Sequence, residues 1–358
     1  MAVVAPTAGT PLCEWPATAL VQAYADRSLS PVEVLDSVLE RMAAWEPHLC
    51  ATWAADPASA RRAAEASEAR WKRGTPSGAL DGVPVTVKEN IASVGTAMPL
   101  GCAASDLTPA TADAPPMARL REAGAVLLAK TTMPDLGMLS SGLSSFHPLT
   151  RNPWQLDRNP GGSSSGAAAA AAAGYGPIHL GTDIGGSIRL PAGWCGVVGF
   201  KPSLGRIPIQ PPYAGRVAGP LTRTVADSAL AMQVLSGADD RDTMSLPWQS
   251  IAWTDLHCDL RGRRFGLMLD AGWGLALEPA VRVAIEAAAR RLEQAGAEVV
   301  PVPPFMGRSM IEGLDAFWRM RAWLELSAWP MERQARVLPF IAEWARGGAR
   351  LSLSLIHI

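Results

Sequence analysis

The 358-residue chain lacks most of the features that would place it in several large functional classes. Charge of one sign is missing: 32 basic residues stand against 33 acidic ones, for a formal charge of −1. No whole-chain field is therefore available to recruit nucleic acid or an anionic membrane. Cysteine is scarce, with 5 residues at 13, 50, 102, 195 and 258 and no CxxC pair. That spacing argues against a disulfide framework and against a zinc site. The 5 histidines, at 48, 147, 179, 257 and 357, stand apart and no HExxH occurs, so a metal hydrolase finds no support. There is no GxxxxGK[ST] and no well-placed GxGxxG, so nucleotide binding at a glycine loop is disfavoured. Long apolar runs are absent too. The densest, Ala167–Ala173, falls far short of the roughly 20 residues needed to cross a bilayer. The N-terminal MAVVAPTAGTPLCEWP has no basic region followed by an apolar stretch, so no secretory signal is read and a cytoplasmic location is expected. Lysine occurs only at 72, 88, 130 and 201; the other basic residues are arginine.

What is present suits a folded globular protein. Hydrophobic residues make up 48% and charged residues 18%, which excludes a mainly disordered chain. A typical domain of about 150 residues would suggest two domains, yet no convincing linker is found, so one compact domain is expected. Residues from about 15 to 73 read as helices. Ser30-Pro31-Val32-Glu33 is a capping box with proline at the first helical position, and Val32, Val34, Leu35, Val38, Leu39 and Met42 follow at helical spacing. A second, alanine-rich helix is expected over Pro57–Trp71. From Asp81 the pattern changes: Gly82 to Val87 is a turn feeding a β-rich run that stops at Lys88-Glu89-Asn90. A helix from Met117 to Ala123 precedes an apolar strand, Ala125 to Ala129, ending at Lys130. Helix and strand then alternate through Val225–Leu235, Phe265–Leu269, Pro279–Ala295 and Glu298–Val302. This alternation argues for an α/β fold with a largely parallel sheet.

Between Arg158 and Pro208 glycine and serine are too dense for ordinary elements. The segment Thr182-Asp183-Ile184-Gly185-Gly186-Ser187 can turn successive backbone N–H groups towards one point, as an anion-binding nest does. Gly162-Ser163-Ser164-Ser165-Gly166 also satisfies G-x-S-x-G, which would make Ser164 an elbow nucleophile. That elbow needs a strand before it, and Pro153 and Pro160-Gly161-Gly162 disfavour one. A serine that attacks an amide needs an adjacent base. A lysine serves only when neutral, so its pKa must fall from about 10.4 towards about 7–8. Burial at the end of an apolar strand supplies that kind of penalty. On this ground alone Lys88 and Lys130 are equal candidates, and Lys201 also follows an apolar stretch.

Several motifs in order resolve the choice. Gly161-Gly162-Ser163-Ser164, Gly181-Thr182-Asp183-Ile184-Gly185-Gly186-Ser187-Ile188-Arg189, Gly199-Phe200-Lys201-Pro202-Ser203, and upstream Gly82-Val83-Pro84-Val85-Thr86-Val87-Lys88-Glu89-Asn90 resemble the amidase signature family. The resemblance runs from about Ser30 to Ala238 and is loose beyond. Ser165 stands where glycine is common and Ser203 where threonine is common. The resemblance implies a Ser–cis-Ser–Lys triad of Ser187 as nucleophile, Ser163 as bridge and Lys88 as base. It also implies an oxyanion hole of the Ile184, Gly185, Gly186 and Ser187 backbone N–H groups. Ser164, Thr182, Asp183 and Arg189 are supporting residues, Asp183 as an orienting acceptor and Arg189 as a clamp. The implied fold is α/β, a central mixed, largely parallel sheet flanked by helices, with a helical region 1–80 packing on a core of 81–350. The implied activity is hydrolysis of a small-molecule carboxylic amide. No metal or organic cofactor, no membrane and no nucleic acid are called for, and a homodimer is compatible. The alternatives are the glutaminase-like component of a tRNA-dependent amidotransferase, which works in a complex, and a non-catalytic binding protein. Thr131-Thr132-Met133-Pro134-Asp135-Leu136-Gly137 looks more like ordinary amidases. Finally, residues 351–358, LSLSLIHI, resemble translated adapter read-through more than a native terminus. The expectation is a fold incomplete at its C-terminus with a non-native tail at 351–358.

Overall fold

The computed structural model describes residues 6–7 and 9–351; of the expected tail, 352–358 lie outside the described residues. The chain divides into two compact units rather than the one expected from the absence of a linker. One takes in the described residues up to Asp255 together with Trp329–Ala342, and the other Leu256–Ala328 with the described residues from Glu343 on.

The first unit begins with helices α1 (Ala17–Ala25) and α2 (Pro31–Leu49). Ser30 caps α2 as its sequence predicts: its side chain accepts from Val32 N–H and Glu33 reaches back to the Ser30 N–H at 2.8 Å. Val34, Leu35, Val38 and Met42 form the buried stripe of α2. Strand β1 (Thr52–Trp53), α3 (Pro57–Arg73), β2 (Pro84–Lys88), α4 (Pro115–Glu122) and β3 (Val126–Thr131) follow. Then come α5 (Ser165–Ala173), β4 (Ile178–Asp183), α6 (Arg189–Cys195), β5 (Val198–Gly199), β6 (Val217–Thr222) and α7 (Val225–Leu235). The six strands form one mixed sheet in the order β1-β3-β2-β4-β6-β5. The central neighbours β3, β2 and β4 run parallel, and pairing is antiparallel at both edges.

One hydrophobic cluster joins Val85, Val87, Ile178 and Leu180 to Met117 and Leu120 of α4 and Leu230 and Leu235 of α7. Another packs α1, α2 and α3 with Val126, Leu128 and Ala169 of α5. The alanine run seen in sequence is thus neither a span nor a linker. It is α5, buried nearly all round, and only a helix with side chains this small can sit so close to its neighbours. Among the described residues no helix is long and apolar enough to cross a membrane.

The second unit holds the parallel pair β7 (Arg264–Leu267) and β8 (Glu298–Pro301), connected through α8 (Pro279–Gln294), and then α9 (Arg308–Ser327). β7, α8 and β8 are the elements the alternating pattern predicts, with ends moved by one or two residues.

Candidate active site

Strand alternation separates the two candidate lysines. Val87 is paired with Lys130 across the parallel β2–β3 ladder, so those two side chains share a face, and Lys88, the next residue, projects from the other. Lys88 is fully buried at the C-terminal end of β2. Its Nζ lies 2.9 Å from Ser163 Oγ, 3.1 Å from Ser164 Oγ and 3.1 Å from Thr182 Oγ1. Lys130 donates instead to the Ile91 carbonyl and to Ser93 Oγ at 2.8 Å. Lys201 donates to Pro202 O, and Lys72 pairs with Glu68 on the surface.

The hydroxyls around Lys88 are not equivalent. Ser164, at the N-terminus of α5, donates its proton to the Thr182 carbonyl at 3.1 Å and accepts from Thr182 N–H at 3.2 Å. Its oxygen can therefore only accept from the lysine. It follows a loop rather than a strand and is fully buried, so it does not have the exposed geometry of an elbow nucleophile. Ser163 is preceded by a cis peptide bond from Gly162, and Lys88 Nζ, which donates to its Oγ, is the one hydrogen-bond partner of that hydroxyl among the described residues.

Ser187 lies in the loop between β4 and α6 and is half-buried. It meets the others through its backbone, Ser164 N–H donating to the Ser187 carbonyl at 3.1 Å. Its hydroxyl has no hydrogen-bond partner among the described residues. The loop is wound around Asp183, which accepts from Gly186 N–H at 2.8 Å, Ile188 N–H at 3.0 Å and the Arg189 guanidinium at 2.9 and 3.0 Å. Burial pushes the Asp183 carboxyl up, but the Arg189 guanidinium and the Ile188 and Gly186 N–H groups outweigh it and hold it down at about 2. The Gly186 N–H donates to Asp183, whereas those of Ile184, Gly185 and Ser187 are not bonded to that carboxylate. Gly186 also contributes its backbone conformation, at φ +119°, which L side chains rarely adopt.

Other residues were not singled out in sequence. Asn90 donates from Nδ2 to Thr182 Oγ1 at 3.0 Å, holding the same hydroxyl that Lys88 touches. It sits inside the lysine motif, two residues from Lys88, but spacing alone does not say that the two converge. Gly137, at φ +71°, passes so close to Ser163 that a Cβ there would lie 3.3 Å from Ser163 Oγ. The turn carrying it is held by Asp135, which accepts from Ser145 N–H at 2.6 Å and Leu338 N–H at 2.9 Å. Glu89 is bonded to His147 at 2.7 Å, a partner 58 residues away with no local signal. His179 is a core histidine: burial pushes it down to about 3, and it lies between Thr86 Oγ1 and the Gly176 carbonyl.

Comparison with known proteins matches this architecture. The Amidase family model covers residues 33–326, well past the point where the motifs thin out. The chain is 39% identical over 286 residues to the A subunit of glutamyl-tRNA(Gln) amidotransferase from Bdellovibrio bacteriovorus, covering 78% of this chain and 58% of that protein. It is 34% identical over 308 residues to an acylamidase of Rhodococcus erythropolis, covering 84% and 64%. The chain thus spans less than two thirds of the length of these relatives. Among solved structures, a bacterial aryl acylamidase of the amidase signature family superposes with a TM-score of 0.88 at 32% identity, over 97% of this chain and 75% of that one.

Proposed function

The chain belongs to the amidase family, and from that premise we propose that it hydrolyses a carboxylic amide to the acid and ammonia or an amine through an acyl-enzyme on Ser187. The observation that carries this reading is the buried Lys88 amine, 2.9 Å from the Ser163 hydroxyl, while the Ser164 proton goes to the Thr182 carbonyl and the Thr182 hydroxyl to Asn90 Oδ1. A neutral amine has two N–H donors and one lone pair. Ser164, its proton already donated to the Thr182 carbonyl, takes up one donor and Thr182 accepts the other, which turns the lone pair towards Ser163.

In the reaction, Ser187 Oγ attacks the substrate carbonyl carbon as its proton passes to Ser163 and the Ser163 proton passes to Lys88. Hydrogen bonds of this kind commonly close only when substrate is bound. The oxyanion forms among the Ile184, Gly185 and Ser187 amides, where one good donor is worth about 2.7–4 kcal/mol of barrier. The proton then returns through Ser163 to the leaving nitrogen and the C–N bond breaks; water next attacks the acyl carbon as its proton passes through Ser163 to Lys88, and the acid leaves as the C–O bond to Ser187 breaks and that proton returns to Ser187 Oγ. Asp183 and Arg189 keep the loop in shape and exchange no proton.

A second reading rests on the 39% identity to an amidotransferase component: the same relay would release ammonia from glutamine within a complex. Turnover of a panel of aliphatic, aryl and amino-acid amides, with and without the other amidotransferase components, separates the two. Glutaminase activity seen only with those components would favour the second. In either case Ser187→Ala should lose at least a thousandfold in turnover while Ser164→Ala keeps measurable activity. An active Ser187→Ala variant beside an inactive Ser164→Ala variant would reverse the assignment.

A further inference from the structure

The backbone beside Ser163 belongs to a loop that closes on one buried acid. Asp135 is fully buried, no step of the reaction uses it, and among the described residues no cation pairs with it. Neutral groups hold its carboxylate instead: Oδ1 accepts from Ser145 N–H at 2.6 Å, and Oδ2 accepts from Ser145 Oγ and from Leu338 N–H, each at 2.9 Å. Burial pushes the carboxyl up, and the Leu338 and Ser145 donors, with the Cys102 thiol, pull against it. An acid buried without an ion pair is costly and is tolerated where donors satisfy it.

The two bonds to Ser145 close residues 135–145 into a loop that is also tied at its base. Ser145 Oγ accepts from Ala103 N–H at 2.9 Å, and Ser144 Oγ donates to the Gly101 carbonyl at 2.5 Å. Leu338 comes from 203 residues away, in the segment Trp329–Ala342 of the same unit. Between its closed ends the loop lies against Gly162 and Ser163. A Cβ at Gly137 would stand 3.3 Å from Ser163 Oγ and 3.7 Å from Ser163 Cβ. A Cβ at Gly162 would stand 2.6 Å from Ser141 N and 2.7 Å from the Leu139 and Ser141 carbonyl oxygens. Ser165 Oγ donates to that Ser141 carbonyl at 2.8 Å. At Gly137 and Gly162 backbone meets its neighbour directly, so no flexible side chain is there to absorb a shift. Leu136 and Gly137 start the loop at φ 53° and 71°, and for leucine that conformation persists only where the surroundings enforce it.

Resting on the reading of Ser163 as the bridge, we propose that Asp135 is a positioning residue: by closing the 135–145 loop on Ser145 and Leu338 it sets where Ser163 Oγ stands against Lys88 Nζ, and so how fast Ser187 is activated. The Ser163 hydroxyl has Lys88 as its one hydrogen-bond partner among the described residues, which leaves its placement on every other side to packing. Asparagine at 135 keeps a single acceptor oxygen. Its amide group then faces either Ser145 N–H or Leu338 N–H, donor against donor, and the loop opens on that side.

The test needs no identified substrate. The full chain is labelled with an alkyl fluorophosphonate, and the rate of Ser187 modification per folded molecule is measured at one pH for Asp135→Asn, Ser163→Ala and the double variant. A misplacement of about 1 Å costs up to about a hundredfold, so Asp135→Asn should slow labelling about tenfold. Ser163→Ala should slow it by about a hundredfold or more. The double variant should label no more slowly than Ser163→Ala, because the group that Asp135 positions is gone. A general loosening of the fold would instead multiply the two effects. Wild-type labelling by Asp135→Asn, or a double variant slowed by the product of the single effects, overturns the proposal. If Asp135→Asn does not fold, Ser145→Ala takes its place in the same cycle: it removes the hydroxyl that links Asp135 to Ala103 N–H, and its severalfold slowing should vanish in the Ser163→Ala background. Failure of the underlying reading looks different: Ser163→Ala would itself label at the wild-type rate, which removes the bridge and the proposal with it.

Discussion

Replacing Asp183 by asparagine removes the charge around which the loop between β4 and α6 is wound while keeping the side chain's size. In the wild type this fully buried carboxylate receives the Gly186 and Ile188 amides and both sides of the Arg189 guanidinium. Its pKa falls from 3.8 to about 2, which at about 1.36 kcal/mol per pH unit corresponds to roughly 2.5 kcal/mol of stabilisation. The Arg189 side chain is 52% exposed, so solvent screens part of the pairing and a loss of about 1.5–2 kcal/mol is expected. The folded pKa lies below the unfolded one. The contribution is therefore complete above about pH 4 and is lost as pH falls through about 2. Urea unfolding should show Asp183→Asn less stable by about 1.5–2 kcal/mol at pH 7, with the gap to wild type closing towards pH 2. Hydrogen exchange at the Gly186 and Ile188 amides should speed up at pH 7. Amide turnover should drop about tenfold to a hundredfold, because the Ile184–Ser187 backbone no longer holds its donors in place. Equal stability of the two proteins at pH 7, with unchanged exchange at those amides, would refute this account of the loop.

Two further outcomes follow from local geometry. Gly137→Ala places a methyl group 3.2 Å from Met133 Cε and 3.3 Å from Ser163 Oγ on a backbone at φ +71°. It should cost about 1–2 kcal/mol in thermal unfolding and reduce kcat more than it raises KM; a variant with wild-type kcat would show that Ser163 tolerates the contact. Ser30→Ala removes the oxygen that accepts from Val32 N–H and should lower stability by about 1 kcal/mol with kcat unchanged, measured by denaturation and steady-state turnover on the same preparation.

The helices were legible because their signals are local. Ser30-Pro31-Val32-Glu33 caps α2 with groups at most three residues apart, and the stripe from Val34 to Met42 needs only the helical period. The strands carrying Lys88 and Lys130 were legible for the same reason, as short apolar runs that reach a charge, the second continuing one residue further to Thr131. Asp183 could be read as an acceptor because the amides it holds lie three and five residues away.

The choice between the two lysines was not local. Both end buried strands, and only the pairing of Val87 with Lys130 puts them on opposite faces, one towards Ser163 and the other towards Ser93. Residue order could not assign the Gly186 amide either, since a nest of N–H groups and an acceptor that claims one of them look alike until the chain turns back on itself. The Glu89–His147 contact and the closeness of Gly137 to Ser163 join segments far apart in the chain, with no periodicity to connect them. Local capping, period and strand ends are decided by neighbouring residues and survive as sequence. Which buried amine meets which hydroxyl is decided by sheet register and loop packing, and those exist only once the whole first unit has folded.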